Sequence, residues 1–479
     1  MMRAFSLAEA MEFTSAVCKS TGLDATTFAD ISTDTRALKP GDLFVALRGE
    51  NFDGHEFLLA AKQSGASAVV VDAFDSVLDS NLDSAIDNDP DNSRQMPQLV
   101  VADTVDALAG LAAGNRNESD AKLVAITGSS GKTTVKELTA AILTRMGDTL
   151  ATRGNLNNHI GVPLTLFGLR PAHRYGVIEL GASGLGEIAH TVAITRPQVA
   201  ILTNAGQAHL EGFGSYENIV QAKGEIIEGV AEGGLVVLNR DDPAFELWRT
   251  RAGSRRVASV SRCGNPDADY NAIVKQPQDQ KPEIVVTGPG GWTCKLPLPL
   301  EGEHNVTNTL LAIAATRELG ATDIAVIEGL AGVQPVRGRL QVVNFSGGLS
   351  VIDDSYNANP ASMKAALSVL ATRDGKRVAV FGAMGELGPT ARELHKEVGV
   401  LASELGIDRL LTVGAGCDGY ADGFGETTET YQTHEEAVQA IALVNELPMT
   451  VLVKGSRSAA MDLVVEGIKN KVNNACCSG

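Results

Sequence analysis

Apolar residues in this chain come in short dense runs, separated by glycine-rich turns and by stretches with helical spacing. The run Leu123-Val124-Ala125-Ile126 leads into Thr127-Gly128-Ser129-Ser130-Gly131-Lys132-Thr133-Thr134, and a helix-like stretch from Val135 to Met146 follows. Similar runs recur at Tyr175–Leu180, Val199–Thr203 and Gly234–Leu238. Continuous rather than alternating apolar character predicts parallel strands buried on both faces. Downstream the rhythm repeats as strand Leu349–Asp353, helix Ser362–Thr372, strand Arg377–Phe381, helix Arg392–Leu405, strand Arg409–Val413, strand Thr450–Val453 and helix Ala459–Lys471. Alternating elements with short loops predict a second, doubly wound sheet. Upstream, a turn and strand at Gly41–Leu47, helical spacing at Phe57–Lys62 and a strand at Ala68–Val71 predict a small α/β unit. Three blocks result, 1–103, 104–336 and 337–479, the middle one opening with a helix around Val105 to Ala113.

Composition agrees with this division. At 479 residues the chain exceeds one core, and 44% hydrophobic content excludes a disordered protein. Apolar runs fall well short of the ~20 residues that cross a bilayer, and Met1-Met2-Arg3-Ala4-Phe5 lacks a signal-peptide core, so a cytoplasmic address is expected. Cys18, Cys263, Cys294, Cys417, Cys476 and Cys477 form no C-x-x-C spacing and are expected as reduced thiols. A net charge of −18 disfavours nucleic acid as a partner. The segment Asp75 to Gln98, rich in Asp and poor in bulky apolar groups, breaks the pattern and is expected to be a solvated, mobile loop. EF-hand spacing is missing from it.

The order strand, glycine turn, Lys-Thr, helix aims backbone N–H groups and a helix N-terminus at a polyphosphate. Gly128, Ser129, Ser130 and Gly131 form the loop, Lys132 reaches terminal phosphates, and Thr133 and Thr134 open the helix, with the Thr133 hydroxyl placed for Mg²⁺. Ile126 stands where longer phosphate loops carry glycine, so the form here is G-x-x-G-K-T. Glu179 ends a buried strand 47 residues after Lys132, a place suited to a Mg²⁺-directed carboxylate. His209 follows a strand and on its own reads as a packed or surface histidine, and Gln221–Glu225, with Lys223 and Glu225, reads as a solvated helix start. Asn239-Arg240-Asp241-Asp242 has a superficial likeness to a guanine-reading stretch, with Arg in place of Lys, which keeps a GTPase-type switch as an alternative. Gly382–Gly388 lacks dinucleotide spacing, so NAD is not expected.

Together the phosphate loop, Gly154–Pro163, Glu179–Ala182, His209–Gly214, Ala222–Glu225 and Gly302–Asn308 resemble the central domain of the Mur ligases. Asp353–Pro360 and Lys454–Ser458 are similar to the branch of that family that adds D-alanyl-D-alanine, and Ser32–Arg36, Gly41–Leu47 and Asp53–His55 to its UDP-sugar-binding domain. The resemblance implies a central ATP-binding domain flanked by a small N-terminal α/β domain for the UDP substrate and a C-terminal Rossmann-like domain. It implies ligation of UDP-N-acetylmuramoyl-tripeptide to D-alanyl-D-alanine, with ATP split through an acyl phosphate, by a monomeric enzyme. A related ligase, such as one extending folate with glutamate, is the nearer alternative. By the same resemblance Thr133 and Glu179 hold Mg²⁺ and His209 a second ion, while Lys223 carries a carbamate. Asn305 faces adenine, Arg339 the phosphates and Asp354 the ribose, with a hinge near Arg337-Gly338-Arg339. Ser32, Thr33, Asp34, Thr35, Arg36 and Asn51 meet the UDP substrate. Asn357, Asn359, Lys454 and Arg457 orient the dipeptide, since Arg and Lys read carboxylates well. Related ligases carry lysine near Tyr356.

Overall fold

The computed structural model of the chain describes residues 2–20, 23–49, 52–79, 96–276, 282–442 and 447–476. Its architecture is mixed α/β, built on three largely parallel sheets. The central sheet runs in the spatial order Thr149–Ala151, Tyr175–Glu179, Lys122–Thr127, Val199–Leu202, Leu235–Asn239, Arg256–Ser261, Tyr270–Lys275, Glu283–Gly288, Trp292–Pro297. Lys122–Thr127 therefore lies between strands that follow it in the chain on opposite sides, which makes its carboxyl end the switch point where open α/β sheets bind ligands. Register brings Glu179 opposite Ile126 and Leu202 opposite Thr127, so both neighbouring strands end level with the glycine turn.

Two strands depart from the parallel expectation. Glu283–Gly288 and Trp292–Pro297 run antiparallel as a hairpin beyond Tyr270–Lys275. Burial alternates along Trp292–Pro297, whereas Ile273, Val274 and Lys275, two strands in, are exposed in succession. An edge wet on one face has the two-residue period of an antiparallel ribbon rather than a continuous apolar run. Behind the sheet, helix Glu303–Glu318 is buried almost all round from Asn305 to Thr316 and packs against helix Lys132–Thr144. Such a helix lacks a polar face because neighbours surround it.

The C-terminal sheet has the order Gln341–Asn344, Leu349–Asp354, Met449–Lys454, Lys376–Gly382, Arg409–Val413, Glu429–Tyr431, with only the first strand antiparallel. Apolar clusters cover both of its faces. Asp354 and Phe381 both pair with Lys454 in register, so three strands deliver their carboxyl ends to one place. In the N-terminal part, Ile31–Ser32, Leu43–Val45, Ala68–Val71 and Gln98–Val100 form a four-stranded parallel sheet. Helix Thr104–Asn117, capped by Asp103, packs against helix Leu7–Thr14 on one side and Gly161–Leu166 and Glu187–Thr195 on the other. One apolar core thus continues from the N-terminal part into the central sheet.

Residues 80–95, most of the acidic segment expected as a mobile loop, lie outside the described residues. Its two ends are ordered. Leu78 and Met96 are buried, and the Gln98 amide exchanges hydrogen bonds of 2.9 and 2.8 Å with the Asp75 backbone. Among the described residues, Cys18, Cys263, Cys294 and Cys417 are free thiols, and no helix is long and apolar enough to cross a membrane.

Candidate active site

Gly128 and Gly131 shape the turn after Lys122–Thr127. A Cβ on Gly128 would lie 2.0 Å from Thr203 Oγ1, and Gly131 sits at φ 80° with Asn308 Oδ1 2.7 Å from where its Cβ would be. Only glycine fits either position. The loop is braced from the next strand end, since Ser129 N–H donates to Asn204 O at 3.0 Å and Ser130 N–H to Asn204 Oδ1 at 3.0 Å. Helix Lys132–Thr144 then starts with its free N–H groups at the mouth of the turn. Lys132 Nζ folds back onto Gly128 O at 2.7 Å. Burial pulls its ammonium below the usual lysine range, Glu179 opposes that, and the charge of Arg339 pushes further down. Crowded cations of this kind are relieved by a bound polyanion.

Beside the turn, the Thr133 hydroxyl donates to Glu179 Oε2 at 3.0 Å and Asn157 Nδ2 donates to Glu179 Oε1 at 2.9 Å. Thr133 and Glu179 are both buried. Two hard oxygen donors side by side at a phosphate loop suit Mg²⁺, which takes its remaining ligands from phosphate and water. The described residues hold no group of three or more His, Cys, Asp or Glu that would cage an ion on their own. Asn157 was not singled out from the sequence. Its signal was its place in the Gly154–Pro163 motif, and its tie to Glu179 appears only in three dimensions.

Lys223 lies in the last turn of helix Tyr216–Gly224 and is 1% exposed, which corrects the reading of that stretch as a solvated helix start. The helix buries this end because Trp248 and Arg251 pack across Gly224. Its ammonium is pulled down to about 7 by burial, Lys132 adds to the effect, and Glu187 and Glu225 oppose it. Lys223 Nζ donates to Ala182 O at 3.1 Å and lies 4.8 Å from the Phe213 ring centroid. Glu225, also buried, accepts from Gly186 N–H at 2.8 Å and Ala189 N–H at 3.0 Å, at the N-terminus of helix Glu187–Thr195.

One cleft of about 2200 Å³ joins the phosphate loop, Asn157 and Glu179 to the C-terminal sheet, and Lys223 and Glu225 are not among the residues lining it. Ser129 to Thr134, Glu179, His209, Asn305, Arg339, Asp354, Asn357, Asn359, Lys454 and Arg457 all line it. Asn305 Nδ2 donates to Glu301 O at 2.6 Å, and neighbouring His304 is pushed down to about 4 by burial and by Lys454 and Arg262, so it is neutral near pH 7. Lys454, 2% exposed, donates to Asp354 Oδ2 at 2.6 Å and to Asn357 O at 2.8 Å. Burial raises the Asp354 carboxyl against the pull of Lys454. Asn359 caps helix Pro360–Ala371, accepting from Ser362 N–H at 2.9 Å. His209 meets the carboxylate of Glu386 across the cleft, and both residues hold left-handed backbone, φ 56° and 59°. Glu386 belongs to the glycine segment Gly382–Gly388, whose place at a strand's carboxyl end is readable from sequence, but its pairing across domains left no local signal.

One group of residues stands apart. Ser32 ends the first strand of the N-terminal sheet, Thr33, Asp34, Thr35 and Arg36 follow it, and none lines the cleft; Asn51 lies outside the described residues. Asp34 is held near 2 by the Arg36 guanidinium. The guanine-like stretch reaches the cleft through Asn239 and Asp241, with its carboxylates engaged internally, Asp242 accepting from Ala205 N–H at 2.9 Å and Ala244 N–H at 2.8 Å, and Asp241 from Arg262 N–H at 2.8 Å.

Known families match three parts of the chain: Mur ligase family, catalytic domain, over 27–116; Mur ligase middle domain over 126–316; and Mur ligase, glutamate ligase domain over 338–457. UDP-N-acetylmuramoyl-tripeptide--D-alanyl-D-alanine ligase of Escherichia coli (strain K12) is 43% identical over 461 residues, 95% of this chain and 96% of that protein. The crystal structure of MurF from Acinetobacter baumannii superposes with a TM-score of 0.87 at 34% identity, covering 98% of this chain and 99% of that one. MurF ligase from Thermotoga maritima, solved in complex with ADP, gives 0.81 at 28% identity, covering 93% and 98%.

Proposed function

The chain belongs to the Mur ligase family, and from that premise we infer that it is an ATP-dependent ligase joining D-alanyl-D-alanine to UDP-N-acetylmuramoyl-tripeptide. It acts in peptidoglycan synthesis. The observation that carries the chemistry is the single cleft in which a phosphate loop on one sheet faces Arg339, Asp354 and Arg457 on another.

A carboxylate resists attack by an amine, so the terminal carboxylate of the tripeptide first takes the γ-phosphoryl of ATP and becomes an acyl phosphate. The amine of the dipeptide adds to that carbonyl, and the tetrahedral intermediate expels phosphate. Lys132, the loop N–H groups and Arg339 neutralise the phosphoryl charge throughout. Thr133 and Glu179 would hold Mg²⁺, with His209 toward a second ion, and the metal would supply further charge neutralisation at the phosphates. Lys223 fits a carbamate because its amine is close to half neutral at pH 7 and is enclosed. Carbamylation would exchange a costly buried cation for an anion near His209.

Asn305 would take the adenine side and Asp354 the ribose, while Asn357, Asn359, Lys454 and Arg457 form the acceptor end. Ser32 to Arg36, on or beside the N-terminal sheet, would bind the UDP portion together with Asn51, leaving the peptide to reach the cleft. The same reading makes the protein a monomeric cytoplasmic enzyme without a nucleic-acid partner. One chain supplies both walls of the cleft, ATP and the nucleotide-linked substrate are soluble, and a net charge of −18 repels phosphodiesters. The test is phosphate release and product mass over a matrix of UDP-peptides and amine acceptors. Release requiring both the UDP-tripeptide and D-alanyl-D-alanine is expected. Release without the dipeptide, or a glutamate-extended folate as product, would overturn the reading.

A further inference from the structure

Tyr356 follows the strand Leu349–Asp354, half-buried in the cleft wall, and the chemistry above makes no use of it. Two guanidiniums lie over its ring, the central carbon of Arg339 4.4 Å and that of Arg457 5.8 Å from the centroid. Arg339 comes from the segment entering the C-terminal sheet, and Arg457 from the short turn Arg457–Ala459 after Met449–Lys454. Two like charges this close repel, whereas an aromatic face attracts both. Among the described residues neither guanidinium forms an ion pair with a carboxylate, although Arg337 and Lys454 beside them do. Their N–H groups are thus left for anions from outside.

The backbone around Arg339 is fastened to the same strand end. Tyr356 N–H donates to Gly338 O at 3.1 Å, and Leu340 N–H donates to Asp354 Oδ1 at 3.1 Å. Gly338 and Leu340 both take positive φ, 73° and 52°, a conformation that a non-glycine keeps only where its surroundings enforce it. Arg339 is therefore held by its neighbours on both sides and by the ring beneath it. It lines the same cleft as the phosphate loop.

We propose that Tyr356 is a positioning residue whose ring holds Arg339 toward the transferring phosphate and Arg457 toward the carboxylate of the incoming acceptor, registering the two anionic substrates against each other. The proposal rests on the ligase reading above. Its test compares the full chain with Tyr356→Phe, Tyr356→Leu and Tyr356→Met, measuring KM for ATP, KM for D-alanyl-D-alanine, kcat, and binding of a non-hydrolysable ATP analogue by calorimetry. Loss of the ring in the Leu and Met variants is expected to raise both KM values about fivefold and weaken analogue binding about as much, and Phe to stay within about twofold of the wild type. Using both Leu and Met guards against one of them failing to fold. Phe as impaired as Leu would assign the effect to the hydroxyl and overturn the proposal. So would Leu and Met variants whose KM values and analogue binding both stay within about twofold of the wild type. If the wild type ligates some other acceptor, the ligase reading fails in its substrate, while the effect of the ring on ATP remains measurable.

Discussion

Lys223 places a cation where a cation is costly, 1% exposed and near Lys132, and this explains why its ammonium falls to about 7. With ¹³C-bicarbonate, the wild type is expected to give a carbamate carbonyl signal by NMR that Lys223→Ala lacks. Lys223→Arg keeps the charge but cannot be carbamylated, and should lose about 100-fold or more in kcat alongside the Ala variant. An active Arg variant would remove the carbamate from the account. Lys132 carries a simpler expectation. Lys132→Ala should lower phosphate release by about 100- to 1000-fold with little change in thermal stability, because its Nζ makes one replaceable hydrogen bond to Gly128 O. As a candidate Lys132 was legible in residue types and order, and Lys223 only through the family resemblance. The burial of Lys223 was not, because Gln221–Glu225 is polar in sequence and only packing encloses it.

Among the elements, the segment Gly382–Leu387 that carries Glu386 rests on His395, a buried residue of helix Ala391–Glu404. His395 Nε2 accepts from Met384 N–H at 2.8 Å and Nδ1 donates to Ala391 O at 2.5 Å, which fixes a neutral ring. Burial lowers its folded-state value, so the unfolded chain binds the proton more readily. The stabilisation is therefore fully present above about pH 6.5 and is lost as pH falls toward the lowered folded value. Urea midpoints measured from pH 7.5 to 5 should fall in the wild type more steeply than in His395→Gln, which itself costs about 1–3 kcal/mol. The Asp354–Lys454 pair joins two strand ends of the same sheet. Lys454→Met should destabilise the protein by about 3–5 kcal/mol, read as a lower denaturation midpoint, since it strands a buried carboxylate. Strands and helices of the doubly wound sheets could be read from apolar runs. The hairpin Glu283–Pro297 and the edge strand Gln341–Asn344 could not, because half-exposed edges lack such runs.

In the whole molecule, the central and C-terminal parts meet through Arg373 with Glu301, His209 with Glu386, Glu211 N–H on Glu386 O at 3.1 Å, and Leu210, which packs against the C-terminal apolar core. By contrast the N-terminal part shares an apolar core with the central sheet. A shared core fastens the N-terminal part more firmly than these contacts fasten the C-terminal part, so the hinge expected near Arg337–Arg339 would swing the C-terminal part alone. Small-angle scattering with an ATP analogue and both substrates should give a smaller radius of gyration than the free protein. Superimposable curves would count against closure. By itself the sequence determined the fold class, the phosphate loop and the family, because apolar periodicity, glycine turns and contiguous motifs are local properties of the chain. Tertiary structure decided which distant groups meet: Thr133 with Glu179, Lys454 with Asp354, His209 with Glu386, and both arginines with Tyr356. Those pairings follow from strand order and register across two sheets, and no spacing along one chain encodes them.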